Sequence, residues 1–138
     1  MSEENLKEKM AILLQRRYNI MHEIKRLTDD LDDAFSRSDD VSAGLVLRMR
    51  SDQFSLCEQN WEALLMIGEE SREGADLVRR LLRPDPENVR AVDPLEEKIV
   101  DIRRGVRRLI AETRAEDRMI SLRNAREKSA YYAAEHHL

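Results

Sequence analysis

The sequence predicts an all-α protein: three long antiparallel helices in a coiled-coil-like bundle, with a C-terminal helical extension. Three observations carry this reading. Apolar residues recur at spacings of three and four over long stretches, and no run alternates at period two. Four Gly and three Pro in 138 residues are too few turn-formers for a sandwich or barrel, which needs a turn every ~8–12 residues. No self-similarity appears at the ~20–50-residue periods of a solenoid.

The first helix rests on Met10, Leu13, Arg17, Ile20, Ile24, Leu27, Leu31 and Ala34, a coiled-coil seam with one polar interruption at Arg17. No Gly or Pro precedes Gly44, so a helix over about 3–35 is expected, roughly 50 Å long at 1.5 Å per residue. Ser36 to Asp40 reads as a turn, its Asp pair suited to the positive end of the next helix. The second apolar face runs Leu45, Met49, Leu56, Asn60, Ala63, Ile67, Gly74, Val78 and Leu81. Beside it lies a stripe of Leu47, Phe54, Trp61 and Leu65. So wide an arc implies contact with two partners rather than one. One helix over about 40–82 is expected, with Gly68 and Gly74 as points of kinking or fraying.

Pro84 and Pro86 mark a loop over 83–93, which Asp93-Pro94 closes as N-cap and first helical residue. The third helix, about 94–134, has its seam at Leu95, Ile99, Ile102, Val106 and Leu109. The same register then reads Thr113, Glu116, Ile120, Arg123 and Glu127, so its apolar character fades near Ala111. All of this fits one domain over 1–138.

Composition narrows the functions. The formal net charge is −4, divided unequally: residues 1–78 carry 10 basic and 17 acidic groups, residues 79–138 carry 14 and 11. Asp29, Asp30, Asp32, Asp33, Asp39 and Asp40 make an acidic tip, whereas Arg79, Arg80, Arg83, Arg103, Arg104, Arg107 and Arg108 make a basic zone. With the whole chain acidic and no interleaved aromatics, nucleic-acid binding is not expected. No apolar run approaches the ~18 residues of a membrane span and no signal-like segment follows Met1, so a cytoplasmic protein without membrane insertion is expected. Cys57 stands alone, which excludes an internal disulfide and fits a reducing compartment.

Catalytic and cofactor signals are weak. His22, His136 and His137 lack a Glu three residues before them, so neither metal nor cofactor is expected. No Gly-rich phosphate cradle exists. Arg17 carries the enzymatic alternative, because all-helical chorismate mutases grip a dianion with arginines inside a three-helix arrangement. Such sites need several inward cations, and only Arg17 is predicted to face inward. No catalytic residue is assigned.

Residues 115–138 read as a partner-binding tail: Met119, Ile120, Leu122, Arg126, Ser129, Tyr131 and Tyr132 lie on mixed faces of a helix without an obvious partner in the chain. LTDDLDDAFSRSDD at the hairpin tip, LVLRMRSDQFSLCEQNWEALL after it, the loop RPDPENVRAVDP and the segment IRRGVRRLIAETRAEDRMISLRNAREKSAYY together resemble the FlgN/FliT-like flagellar export chaperones. The resemblance spans nearly the full chain. It implies a non-enzymatic protein that captures the helical C-terminal region of hook–filament junction or filament-cap subunits, prevents premature assembly and delivers them for export. The alternative is a structural or homodimerising bundle without a client.

Overall fold

A computed structural model describes the backbone of residues 2–136 and the side chains of residues 2–126. Four α-helices follow in order: α1 Glu3–Ser36, α2 Asp40–Glu70, α3 Arg72–Leu77 and α4 Pro94–His136. A π-helical turn, Val78–Leu82, continues α3, and a 3-10 turn, Pro86–Asn88, precedes α4.

α1 is flanked on two sides. α2 returns antiparallel along it: Asn60 Nδ2 donates to the Leu13 carbonyl at 2.8 Å, and farther up Arg50 Nη1 reaches Thr28 Oγ1 at 3.0 Å. α4 runs parallel to α1, as up-down-up order requires, with Lys7 against Asp93, Lys25 against Glu116 and Arg123 against Asp32. Two neighbours widen the buried face of α1 beyond one seam, so Leu6, Leu14, Met21 and Thr28 are buried alongside Met10, Ile24, Leu27 and Leu31. The core is richest at the base, where Met10, Leu14, Leu64, Ile67, Leu77, Leu81 and Ile99 meet. It thins at the tip to Leu31, Ala34 and Ala43. Each such large side chain contributes about 1.5–3 kcal/mol when removed from water.

The turn between α1 and α2 closes as a Schellman motif. Asp39 N donates to the Ala34 carbonyl at 2.9 Å, and Ser38 takes a left-handed φ of 54°. Asp39 then caps α2, accepting from Ser42 N at 3.0 Å and Ser42 Oγ at 2.7 Å. A left-handed serine costs roughly 1 kcal/mol that glycine does not incur. Ser38→Gly is therefore expected to raise the thermal midpoint by a few degrees. A lowered midpoint in a calorimetric scan would show that the turn is not strained.

The second helix differs from the single rod expected over 40–82. It ends at Glu70, and Ser71 is extended (φ −159°, ψ 164°), its Oγ accepting from Gly74 N at 3.0 Å to start α3. The chain folds back so closely that a Cβ on Gly74 would lie 1.9 Å from the Ile67 carbonyl oxygen. The corner turns Leu77, Val78, Leu81 and Leu82 into the basal core, where all four are buried.

α4 passes Ala111 without a break. Its register keeps facing α1 by exchanging apolar contacts for polar ones. Thr113 Oγ1 donates to the Leu109 carbonyl at 2.7 Å, and Glu116 pairs with Lys25 at 3.2 Å. Ile120 is buried, and Arg123 pairs with Asp32. Glu116, Ile120 and Arg123 therefore face α1 within the stretch read as a partner-binding tail.

An ionic cluster closes the base. Glu96 is 0% exposed and receives Lys7 Nζ at 2.7 Å and both Arg80 Nη atoms at 3.2 Å, with Val92 N at 3.4 Å. Asp93 caps α4 through Glu96 N at 2.8 Å and holds Lys7 at 2.8 Å. Burial pushes the Glu96 pKa up, but the donated hydrogen bonds outweigh it and hold the carboxyl below its ordinary value. Asp93, and then Glu96, push the Lys7 ammonium well above its own.

Candidate functional site

The residues predicted to bind a partner do not share one face. Ile120 is 5% exposed and sealed inside the subunit, so it is unavailable to a partner. Met119 and Leu122 are 65% and 53% exposed, and Arg126 is also exposed. At ~100° per residue, Leu122 falls on the side of α4 turned away from α1, and Met119 on a flank beside Arg123. Ser129, Tyr131 and Tyr132 lie outside the residues whose side chains are described.

The larger open surface is on α2, and tail-centred reasoning missed it. Only Ala43, Asn60, Leu64 and Ile67 of its 31 residues are buried. Val41, Leu45, Met49 and Leu56 stand exposed along one flank, with Leu47, Phe54 and Trp61 along the other. Two flanks follow from the wide apolar arc, because α1 occupies only its centre. The signal was legible: so wide an arc implies contact with two partners, and much of it stays open to water. α2 is tied to α4 by Arg50, whose Nη1 reaches Asp117 at 2.6 Å while its guanidinium lies over Phe54 at 5.3 Å. Asn60, in the α1-facing part of the arc, is buried with its Oδ1 unpartnered among the described residues.

Arg17 does interrupt the seam, but no sealed core forms around it. Its Nη1 donates to the Cys57 carbonyl at 3.2 Å and its guanidinium lies over the Trp61 ring at 5.1 Å. Cys57 is half-buried against Met21, Ile24 and Val106. The basic zone divides in two. Arg79, Arg80 and Arg104 pair with Asp76, Glu96 and Glu87. Arg103, read as part of the basic zone, is half-buried and donates to the Leu81 carbonyl at 2.8 Å.

Among the described residues, no group of three or more His, Cys, Asp or Glu side chains is placed to hold a metal ion, and no helix is long and apolar enough to cross a membrane. His22 is exposed beside Tyr18; the side chains of His136 and His137 lie outside the described residues. The geometry offers apolar helix flanks and fixed guanidiniums, the equipment of a binding surface. Comparison with protein-family models, with curated proteins and with solved structures finds no match.

Proposed function

We propose that the chain is a non-enzymatic cytoplasmic chaperone or adaptor that holds an amphipathic helix of an export substrate, as its resemblance to the FlgN/FliT-like chaperones implies. The observation that carries this reading is α2, a helix packed along α1 whose two flanks still present large apolar side chains to water. Exposed apolar surface of this kind marks a protein-interaction face. A helix laid on a flank would bury it by the ridge-and-groove packing that α1 already provides at the centre of the arc. The exposed Met119 and Leu122 of α4 extend the candidate surface towards the C-terminus. A second reading, a homodimer without a client, uses the same α2 flanks.

Two variants of the full chain separate these readings. A chain ending at Arg126 keeps every buried residue described for α4, so its helical melting curve is expected to match the intact protein. Its affinity for the C-terminal peptide of a hook–filament junction or cap subunit encoded in the same genome is expected to fall at least ~tenfold by calorimetry. Leu45→Glu/Leu56→Glu is expected to weaken the same binding without lowering the melting temperature. If no such peptide binds the intact chain, while sedimentation shows a tight dimer that the double variant dissolves, the homodimer reading replaces the client one.

A further inference from the structure

Between α1, α2, the loop after the π-helical turn and α4 lies a cleft of about 330 Å³, in the size range of a small-ligand site. Trp61, Val106 and Ile110 supply apolar lining, and four guanidiniums, Arg17, Arg83, Arg103 and Arg107, stand against a single carboxylate, Asp85.

The imbalance contrasts with several cations paired elsewhere in the bundle. Lys7, Lys25, Arg26, Arg50, Arg80 and Arg123 each have an acid within 4 Å. In the cleft only Arg107 does, at 2.5 Å from Asp85, whose carboxylate also accepts from Glu87 N. Among the described residues no acid lies within 4 Å of Arg17, Arg83 or Arg103. Two of these three are nonetheless fixed: Arg17 by the Cys57 carbonyl and the Trp61 ring, Arg103 by the Leu81 carbonyl. Burial, and then repulsion from Arg107, push the Arg103 guanidinium below its ordinary pKa. A half-buried cation without a counter-ion is costly, and a planar fork of donors matches a carboxylate or phosphate.

We propose that this cleft binds a small organic anion, an apolar or aromatic body carrying a phosphate or carboxylate group, with Arg17 and Arg103 on the anion and Trp61 against the body. This site shares Trp61 with one α2 flank but does not rest on the helix-docking role, and it would persist if that role failed.

Trp61 is the only tryptophan in the chain, so its emission reports on the site directly. Phenyl phosphate titrated into the full chain at constant ionic strength is expected to give a saturable change with a Kd on the order of 1 mM or tighter. Inorganic phosphate, which uses the arginines but not the apolar wall, should bind at least ~threefold more weakly, and benzyl alcohol should give no saturable change. Arg103→Met is expected to weaken phenyl phosphate at least ~tenfold without lowering the melting temperature. Arg17→Gln is a second variant, should Arg103→Met not fold, and is expected to weaken it similarly. A response absent up to ~20 mM, equal for the alcohol or for inorganic phosphate, or retained in both variants overturns the proposal. So does loss of helix-peptide binding in both variants with no phenyl phosphate response in the intact chain, which would assign the arginines to an acidic partner helix.

Discussion

Glu96→Ala is expected to destabilise the protein by about 3 kcal/mol, because it leaves the basal cations Lys7 and Arg80 without the carboxylate buried between them. Both retain other acids, Asp93 and Asp76 respectively, which keeps the loss at the lower end for a broken buried pair. Glu96→Gln, which keeps the shape and part of the hydrogen bonding, should cost less. The difference between the two variants in urea midpoint then measures the cavity and the lost hydrogen bonds, and the Gln variant measures the charge. The pH dependence has a definite sign. A carboxyl held below its ordinary value contributes stability that is present above the unfolded pKa of 4.5 and is lost as pH falls through the lower folded value. Lys7 is raised, so its contribution is complete below 10.5 and is lost only as pH climbs through the folded pKa above that. The wild type should therefore hold a plateau between these limits and fall steeply in acid, while Glu96→Gln shows a shallower acid limb. Superimposable profiles would mean the cluster contributes nothing net.

Gly74→Ala separates two structures outright. In a continuous helix over 40–82, alanine would add about 1 kcal/mol of stability through propensity alone. At the observed corner, the new Cβ meets the Ile67 carbonyl oxygen at 1.9 Å and its carbon at 2.9 Å, both backbone atoms that cannot rotate aside. A loss of at least ~2 kcal/mol is expected, a fall of roughly 6–10 °C in the thermal midpoint for a chain of this size. A rise would restore the straight helix.

That corner shows where the sequence ran out. Ile67, Gly74, Val78 and Leu81 keep helical spacing across the break, because α3 re-enters the same core from a new direction and needs the same kind of residue there. The local clue was Ser71 three residues before Gly74, a capping serine read as an ordinary helix position. The opposite error occurred in α4. Thr113, Glu116 and Arg123 were read as the end of a buried register, although each finds a polar partner on the same side: a carbonyl, Lys25 and Asp32. The partners of Glu116 and Arg123 come from α1, and no single-helix pattern reveals them. The seam of α1 was legible because apolar contacts alone define most of it. The cleft was not: Arg17 was flagged, but Arg83 and Arg103 come from other parts of the chain and only the fold brings them to it.

The central position of α1 carries a consequence for synthesis. Its pairing with α2 joins neighbours across a three-residue turn, whereas Lys25 and Glu116 are 91 positions apart. On the ribosome the hairpin is complete before the last helix exists, and translating that helix takes roughly 2–9 s. Throughout that interval the nascent hairpin displays the uncovered side of its first helix as well as the outer flanks of its second. The emerging polypeptide is then at its stickiest, and whatever shields it must do so before the final third has left the tunnel.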